Sequence, residues 1–290
     1  MSPQPKTTFR AALVQMCSGR GVDRNVADVV ALIADAATQK ADYVQTPECT
    51  TLMELDPERL MAETHREAGN KALEAFCDAA RDRRIWLHIG SMAVKVGDRR
   101  LANRSYLISP DGEIATRYDK IHMFDVDLGN GEVYSESVNY QAGTNAILAD
   151  LPWGPLGLTI CYDLRFPALH RALAKAGARF IAGPSAFTRV TGEAHWHTLL
   201  RARAIEAETF VLAAAQGGRH ENGRETFGHS LIVSPWGEIL AEGGTEPGIV
   251  IADIDTERVD EVRSKIPSLT HDRVFDVVST KSAQLETARK

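Results

Sequence analysis

The chain has 290 residues, 44% hydrophobic and 25% charged, with a formal net charge of -6. Such a chain is an ordinary globular protein that can bury a core without disulfide or metal staples. The acidic balance excludes a general nucleic-acid binder, which needs a basic face. No run approaches the roughly 18 apolar residues of a membrane helix. The opening MSPQPKTTFR lacks the apolar stretch of a secretory signal, and Cys17, Cys49, Cys77 and Cys161 form no CxxC pairs. Free thiols in a reducing, cytoplasmic protein are therefore expected.

Strand and helix patterns alternate along the chain. Residues 9–16 read as a buried strand and 25–38 as an amphipathic helix with Val26, Val29, Val30 and Ile33 on one face. A short strand is predicted at 43–46, one helix at 57–83 and a strand at 85–94. Residues 105–109 and 113–117 flank a Pro110-Asp111-Gly112 turn and form a hairpin. The second half follows with a strand at 156–160, a helix at 168–175, a strand at 179–183, a helix at 195–209 and a strand at 210–216. A second hairpin closes around Ser234-Pro235-Trp236-Gly237. SYLISPDGEI from Ser105 and SLIVSPWGEI from Ser230 echo each other. Common turn chemistry accounts for Pro-x-Gly alone, whereas the longer match favours a pseudo-two-fold chain. Each half would supply a sheet with its helices on one side, giving a four-layer α-β-β-α sandwich. The expected organisation is one domain over 1–290, with a core at about 8–265 and a tail at 266–290.

The sharpest chemical signal is Leu156-Gly-Leu-Thr-Ile-Cys161-Tyr-Asp-Leu-Arg-Phe-Pro167. An apolar strand runs into a cysteine, and a helix begins shortly after, with Pro167 suited to its first turn. That junction lies at the carboxyl edge of a sheet, where α/β folds place ligands, beside a helix N-terminus that favours anions. A free thiol of pKa about 8.5 is a weak nucleophile at neutral pH and needs a base or a cation nearby. His122, His195, His197 and His229 are available, yet none sits in a motif that marks it as that base. A carboxylate and an ammonium serve equally well, and Glu48 and Lys120 also stand at strand exits. Cys49 reads as a small core residue.

Thr46-Pro-Glu48, Tyr118-Asp-Lys120-Ile-His122 and Thr159-Ile-Cys161-Tyr-Asp-Leu-Arg-Phe-Pro167 resemble the three signature segments of the nitrilase superfamily of carbon–nitrogen hydrolases. The resemblance runs from Phe9 to about Asp255. The segments from Pro184 to Trp196 and from Leu200 to Glu206 are similar to the Nit branch of amidases. The stretch from Ala213 to His220, with Gly228-His-Ser230, looks closer to deaminated glutathione amidases than to omega-amidases. The resemblance implies that Cys161 is the nucleophile and Glu48 the general base. It makes Lys120, helped by the backbone N–H of Tyr162, the oxyanion holder. Glu136, in Tyr134-Ser-Glu136-Ser, matches a second family glutamate that orients Lys120. Around Glu48 the pattern departs from the family, with Thr46 where leucine is common and Cys49 next.

This chemistry needs no cofactor and no metal, and the resemblance implies that His195-Trp-His197 is helix packing and pocket lining rather than a zinc pair. Attack by sulfur on an amide carbonyl expels an amine and leaves a thioester for water to hydrolyse. Glu48, acting in turn as base and acid, is expected to have a pKa raised towards neutrality. The implied substrate is a short ω-amide next to an α-keto acid, such as deaminated glutathione. Arg165 and Arg189 are candidates to bind its carboxylate, Thr188 and Thr191 to donate hydrogen bonds, and Tyr162 and Phe187 to line the pocket. Omega-amidase and N-carbamoyl amino-acid hydrolase use the same triad, and a non-catalytic scaffold is the alternative from another class. A homodimer or higher homo-oligomer is implied, with no nucleic-acid or membrane partner.

Overall fold

The computed structural model describes residues 7–129 and 131–279. Residues 1–6, 130 and 280–290 lie outside the described residues, and with them the last part of the expected tail.

β1 (Thr8–Gln15), α1 (Val22–Thr38), β2 (Tyr43–Gln45), α2 (Pro57–Glu63), α3 (Lys71–Arg83), β3 (Trp86–Lys95), β4 (Leu101–Ile108) and β5 (Ile114–Asp119) build the first half. A small hairpin follows, β6 (Asp125–Asp127) with β7 (Val133–Ser135), then β8 (Ile147–Leu151). The second half comprises β9 (Gly154–Leu158), α4 (Pro167–Lys175), β10 (Phe180–Ala182), α5 (Arg189–Ala207) and β11 (Phe210–Ala213). It continues with β12 (Gly217–Arg219), β13 (Glu225–Phe227), β14 (Leu231–Val233), β15 (Ile239–Glu242), β16 (Gly248–Asp255) and α6 (Glu257–Lys265).

The strand order is β16-β1-β2-β3-β4-β5 in one six-stranded sheet and β15-β14-β11-β10-β9-β8 in the other. In each, three parallel strands stand in the middle: β1, β2 and β3, and β9, β10 and β11. Each closes with an antiparallel hairpin on one side and one antiparallel strand on the other. The two sheets therefore share one topology. The matching runs seen in sequence form the two closing hairpins. Gly112 and Gly237 both take positive φ, 79° and 84°, and each donates its N–H to Ser109 or Ser234 at 2.9 Å. Both hairpins also carry a register shift at the same place, Leu107/Ile108 and Ile232/Val233.

Side-chain alternation along β1 sorts the layers. Phe9, Ala11 and Leu13 join Leu156, Leu158, Phe180 and Ala182 between the sheets. Ala12, Val14 and Met16 pack outward with Val29, Ile33, Leu73 and Phe76 of α1 and α3. Beyond the second sheet, Ile181 meets Leu169, Leu173 and Ala174 of α4. The period of two in strands and the one-sided apolar faces of the helices dictate this α-β-β-α stack. Polar stitches cross it: the Gln45 Oε1 in the first sheet accepts from the Ala214 N–H after the second, at 2.8 Å.

Three expectations need correction. The helix predicted at 57–83 is two helices, because Gly69 takes φ 70° and the Asn70 side chain caps α3 by accepting from the N–H groups of Ala72 and Leu73. The halves do not each supply a whole sheet, since C-terminal β16 returns to pair with all of β1. The helix expected at 195–209 begins at Arg189, more than a turn earlier.

Candidate active site

Glu48 and Lys120 leave β2 and β5 of one sheet, Cys161 leaves β9 of the other, and the three meet in one cavity of about 760 Å³. Each reaches it by a constrained turn. The loop of Glu48 is tied to the middle of β3 and to the segment after β11: Gly90 N–H donates to Thr46 Oγ1 at 3.0 Å, Cys49 N–H to Ser91 Oγ at 3.1 Å, and Gln216 Nε2 to the Glu48 carbonyl at 2.9 Å. The Thr46 hydroxyl, a departure from the family pattern, thus ties β3 to this loop. Gly90 is obligatory, because a Cβ there would lie 2.1 Å from the Thr46 carbonyl oxygen and 2.5 Å from Pro184 Cβ.

Cys161 takes φ 47°, a left-handed conformation that costs a non-glycine residue roughly 1–3 kcal/mol. Two contacts hold it there. Its own N–H donates to the Pro184 carbonyl at 2.9 Å. Asp163, fully buried, accepts from the Ile160 N–H at 2.9 Å and from Tyr118 Oη at 2.6 Å. It also accepts from the His122 N–H at 3.0 Å. One carboxylate therefore ties the cysteine turn to the residues on either side of Lys120.

The Lys120 ammonium is buried between two carboxylates, donating to Glu48 Oε1 at 2.9 Å and to Glu136 Oε2 at 2.8 Å. Glu136 follows β7 directly, and its Oε2 also accepts from the Phe124 N–H at 2.7 Å. Asn103, in the middle of β4, donates to both glutamates, at 3.0 and 2.9 Å. Glu48 Oε2 accepts from the Ala186 N–H at 3.0 Å. The structure thus brings all four proposed catalytic residues together and adds Asn103, which sequence reasoning missed.

The electrostatics follow from these contacts. Burial opposes charge on Glu48, but the Lys120 ammonium, a hydrogen bond from Cys161 and the charge of Arg224 outweigh it and hold the carboxyl below its ordinary range. The expectation of a raised pKa is therefore overturned: every donor around Glu48 favours the anion. Burial also opposes the charge of Lys120, yet Glu136 and Glu48 keep it protonated well above its usual range. Burial first, and the Glu48 charge second, push the Cys161 thiol well up against the pull of Lys120. The resting site is a carboxylate, an ammonium and a neutral thiol. Burial and Glu48 push Cys49 up to about 12.

The side chains proposed for substrate contact are engaged elsewhere. Thr188 caps α5, its Oγ1 accepting from the Thr191 N–H at 3.3 Å and pairing with the Thr191 hydroxyl at 2.9 Å. A helix N-terminus needs such an acceptor, so neither hydroxyl is directed to a ligand. Phe187 packs on Trp196, with ring centroids 5.0 Å apart, and Tyr162 on Phe124 and Phe166. Arg165 stands over the Tyr162 and Phe187 rings. None of Tyr162, Arg165, Phe187, Thr188 and Thr191 is among the residues that line the cavity. Arg189 reaches the rim but is paired with Glu193 and Glu225, both at 2.9 Å. A further cation that lines the cavity, and that sequence reasoning missed, is Arg224. Its only signal was Asn222-Gly223, a hairpin-turn pair that says nothing about the next residue.

The one group among the described residues that could hold a metal ion is His197, His229 and Glu242, whose ligand atoms lie within 4.8 Å of one another. Both imidazoles meet the same carboxylate oxygen, at 2.8 and 2.9 Å, outside the cavity. His195 instead meets Arg165 at 3.3 Å.

An α-β-β-α sandwich with thiol, carboxylate and ammonium at the strand exits defines the nitrilase-type fold. The profile of the carbon–nitrogen hydrolases matches residues 10–264. A deaminated glutathione amidase of Yersinia enterocolitica is 40% identical over 267 residues, 90% of this chain and 92% of that protein. The crystal structure of the Caenorhabditis elegans NitFhit protein superposes with a TM-score of 0.86 at 35% identity, covering 93% of this chain and 66% of that one. A point mutant of the amidase from Nesterenkonia sp. AN1, with the acetamide moiety of fluoroacetamide covalently added at its active-site cysteine, superposes with a TM-score of 0.76 at 26% identity, covering 92% of this chain and 98% of that one. The chain belongs to the carbon–nitrogen hydrolase family, and it is a hydrolase of carbon–nitrogen bonds other than peptide bonds.

Proposed function

We propose that the chain is a thiol-dependent amidase whose substrate is a small linear amide of the deaminated-glutathione type, cleaved through a thioester on Cys161. The observation that carries this is the buried Lys120–Glu48 pair at 2.9 Å beside a neutral thiol. Glu48 takes the thiol proton as sulfur bonds to the amide carbon. The carbonyl oxygen becomes an oxyanion facing the Lys120 ammonium and the N–H of Tyr162, which has no acceptor among the described residues. Two such donors are together worth several kcal/mol to the transition state. The proton on Glu48 passes to the departing amine as the carbon–nitrogen bond breaks. Water then gives its proton to Glu48 and its oxygen to the acyl carbon, and the sulfur leaves and recovers the proton.

The similarity to deaminated glutathione amidases of Yersinia enterocolitica and Synechocystis sp. supports the substrate class, and the cysteine adduct of the Nesterenkonia amidase supports the nucleophile. The test is an amide assay on deaminated glutathione and α-ketoglutaramate side by side. Faster release from the former, abolished by Cys161→Ala, is the expected result. Faster release from the latter makes the chain an omega-amidase, and binding without turnover makes it a scaffold.

The chain acts as one catalytic unit over about 8–265, in the reducing cytoplasm, where its four cysteines stay free. No helix among the described residues is long and apolar enough to cross a membrane. The functional unit is a homodimer or larger homo-oligomer. Val274, Phe275, Val277 and Val278 are at least 80% exposed in the single chain, a pattern that favours a neighbouring subunit covering them. Light scattering that gives a monomer at working concentration removes this part.

A further inference from the structure

We propose that Arg224 anchors a carboxylate of the substrate, so that the enzyme selects amides carrying a free acid group; this rests on the amidase reading above. Three cations line the cavity: Lys120, Arg189 and Arg224. Lys120 sits between Glu48 and Glu136, and Arg189 between Glu193 and Glu225. Arg224 forms no ion pair with a carboxylate among the described residues. Its contacts are neutral: Nη2 donates to the Ala186 carbonyl at 2.5 Å, Nη1 approaches Met53 Sδ at 3.7 Å, and the guanidinium stands 5.1 Å from the centroid of the Tyr134 ring. Its Nε is buried with no partner. A guanidinium presents five donors in a fixed fork, so most of this one's capacity is unspent.

The side chain is also held in place. Arg224 belongs to the turn between β12 and β13, where its N–H donates to Asn222 Oδ1 at 3.0 Å and Asn222 Nδ2 donates to the Met53 carbonyl at 3.0 Å. The fork is thereby set before a ligand arrives, which lowers the ordering cost of binding. The other charges leave it free for that role. Glu48 and Glu136 are occupied by Lys120, and Glu54 by Arg20 and Arg59. An arriving carboxylate supplies the missing counter-ion and can bond the fork in a bidentate manner.

The experiment compares two amides of equal length, succinamate and butyramide, which differ in a carboxylate replaced by a methyl. The native enzyme prefers succinamate. Arg224→Gln lowers the succinamate-to-butyramide ratio of kcat/KM by roughly 10- to 150-fold, the worth of a charge-assisted hydrogen-bonded pair, chiefly through KM. Arg224→Lys restores part of it. A ratio unchanged by Arg224→Gln, with both rates falling together, makes Arg224 a prop for the Ala186 segment and overturns the proposal. Calorimetry with succinate on the Cys161→Ala enzyme gives a readout without turnover. Binding lost on adding Arg224→Gln supports the anchor even if neither amide is hydrolysed, in which case the amidase reading alone falls. Succinate that fails to bind, or binds equally without Arg224, removes the anchor.

Discussion

Replacing Glu136 with Gln tests the arrangement around Lys120 without touching the base or the nucleophile. Glu136 Oε2 lies 2.8 Å from the ammonium. At an effective dielectric of about 20, two unit charges at that separation attract by about 6 kcal/mol. Most of this is recovered, because an amide oxygen still accepts from Lys120. The uncompensated part is that of a hydrogen bond to a charged group, about 1.5–3 kcal/mol, which corresponds to a loss of roughly 10- to 150-fold in kcat/KM. The new amide nitrogen also faces the Asn103 amide, which now donates to both glutamates. Glu136 is the first of the charges that raise the Lys120 pKa, so its removal lowers that pKa. The high-pH limb of kcat/KM, where the ammonium is lost, should move down. A pH–rate profile of native and Glu136→Gln enzyme on one amide measures both effects. A high-pH limb that stays in place, with kcat/KM within threefold of native, refutes the reasoning.

The low-pH limb reports Glu48. Its pKa is depressed, so the carboxylate remains charged down through the ordinary value of about 4.3; the stability it contributes is present above that pH and is lost as pH falls through the folded value. Activity retained down through about pH 4.3 and lost only below it is expected, and a limb near neutrality contradicts it. Gly90→Ala places a methyl 2.1 Å from the Thr46 carbonyl. It should displace the Glu48 loop and cut kcat at least tenfold while thiol alkylation still reaches Cys161; native kcat would mean the loop adjusts freely. Asp163→Asn removes a buried acceptor with partners in three segments. It should lower stability by about 2–4 kcal/mol, the cost of leaving buried donors unpaired beside an uncharged amide. Denaturant unfolding measures this, and a change under about 1 kcal/mol goes against the role given to Asp163.

Much of this was legible because strand periodicity and strand exits are local. β1 as a buried strand and the turns at Gly112 and Gly237 could be read from the chain, as could three reactive groups standing just past strands. Local reading failed where a distant partner decides the outcome. β16 looks like any amphipathic strand until it pairs with β1. Thr188 and Thr191 read as free hydroxyls until α5 is seen to begin at Arg189. β6 and β7 are three-residue strands, too short to show a period. Asn103 is a polar residue within a strand, and only the approach of Glu48 and Glu136 gives it work. A guanidinium in a hairpin turn, such as that of Arg224, has no local mark that sets it above Arg165 or Arg189. Place and pairing separate them only in the fold: Arg165 lies outside the cavity lining, and Arg189 is ion-paired.

The central claim is that the Cys161 sulfur carries the acyl group, and intact-protein mass spectrometry of enzyme quenched during turnover tests it most directly. The native chain should gain the mass of the substrate's acyl group less one hydrogen, with peptide mapping placing it on Cys161, and the Cys161→Ala chain should gain nothing. An adduct on Cys49, or continued turnover by Cys161→Ala, would contradict it.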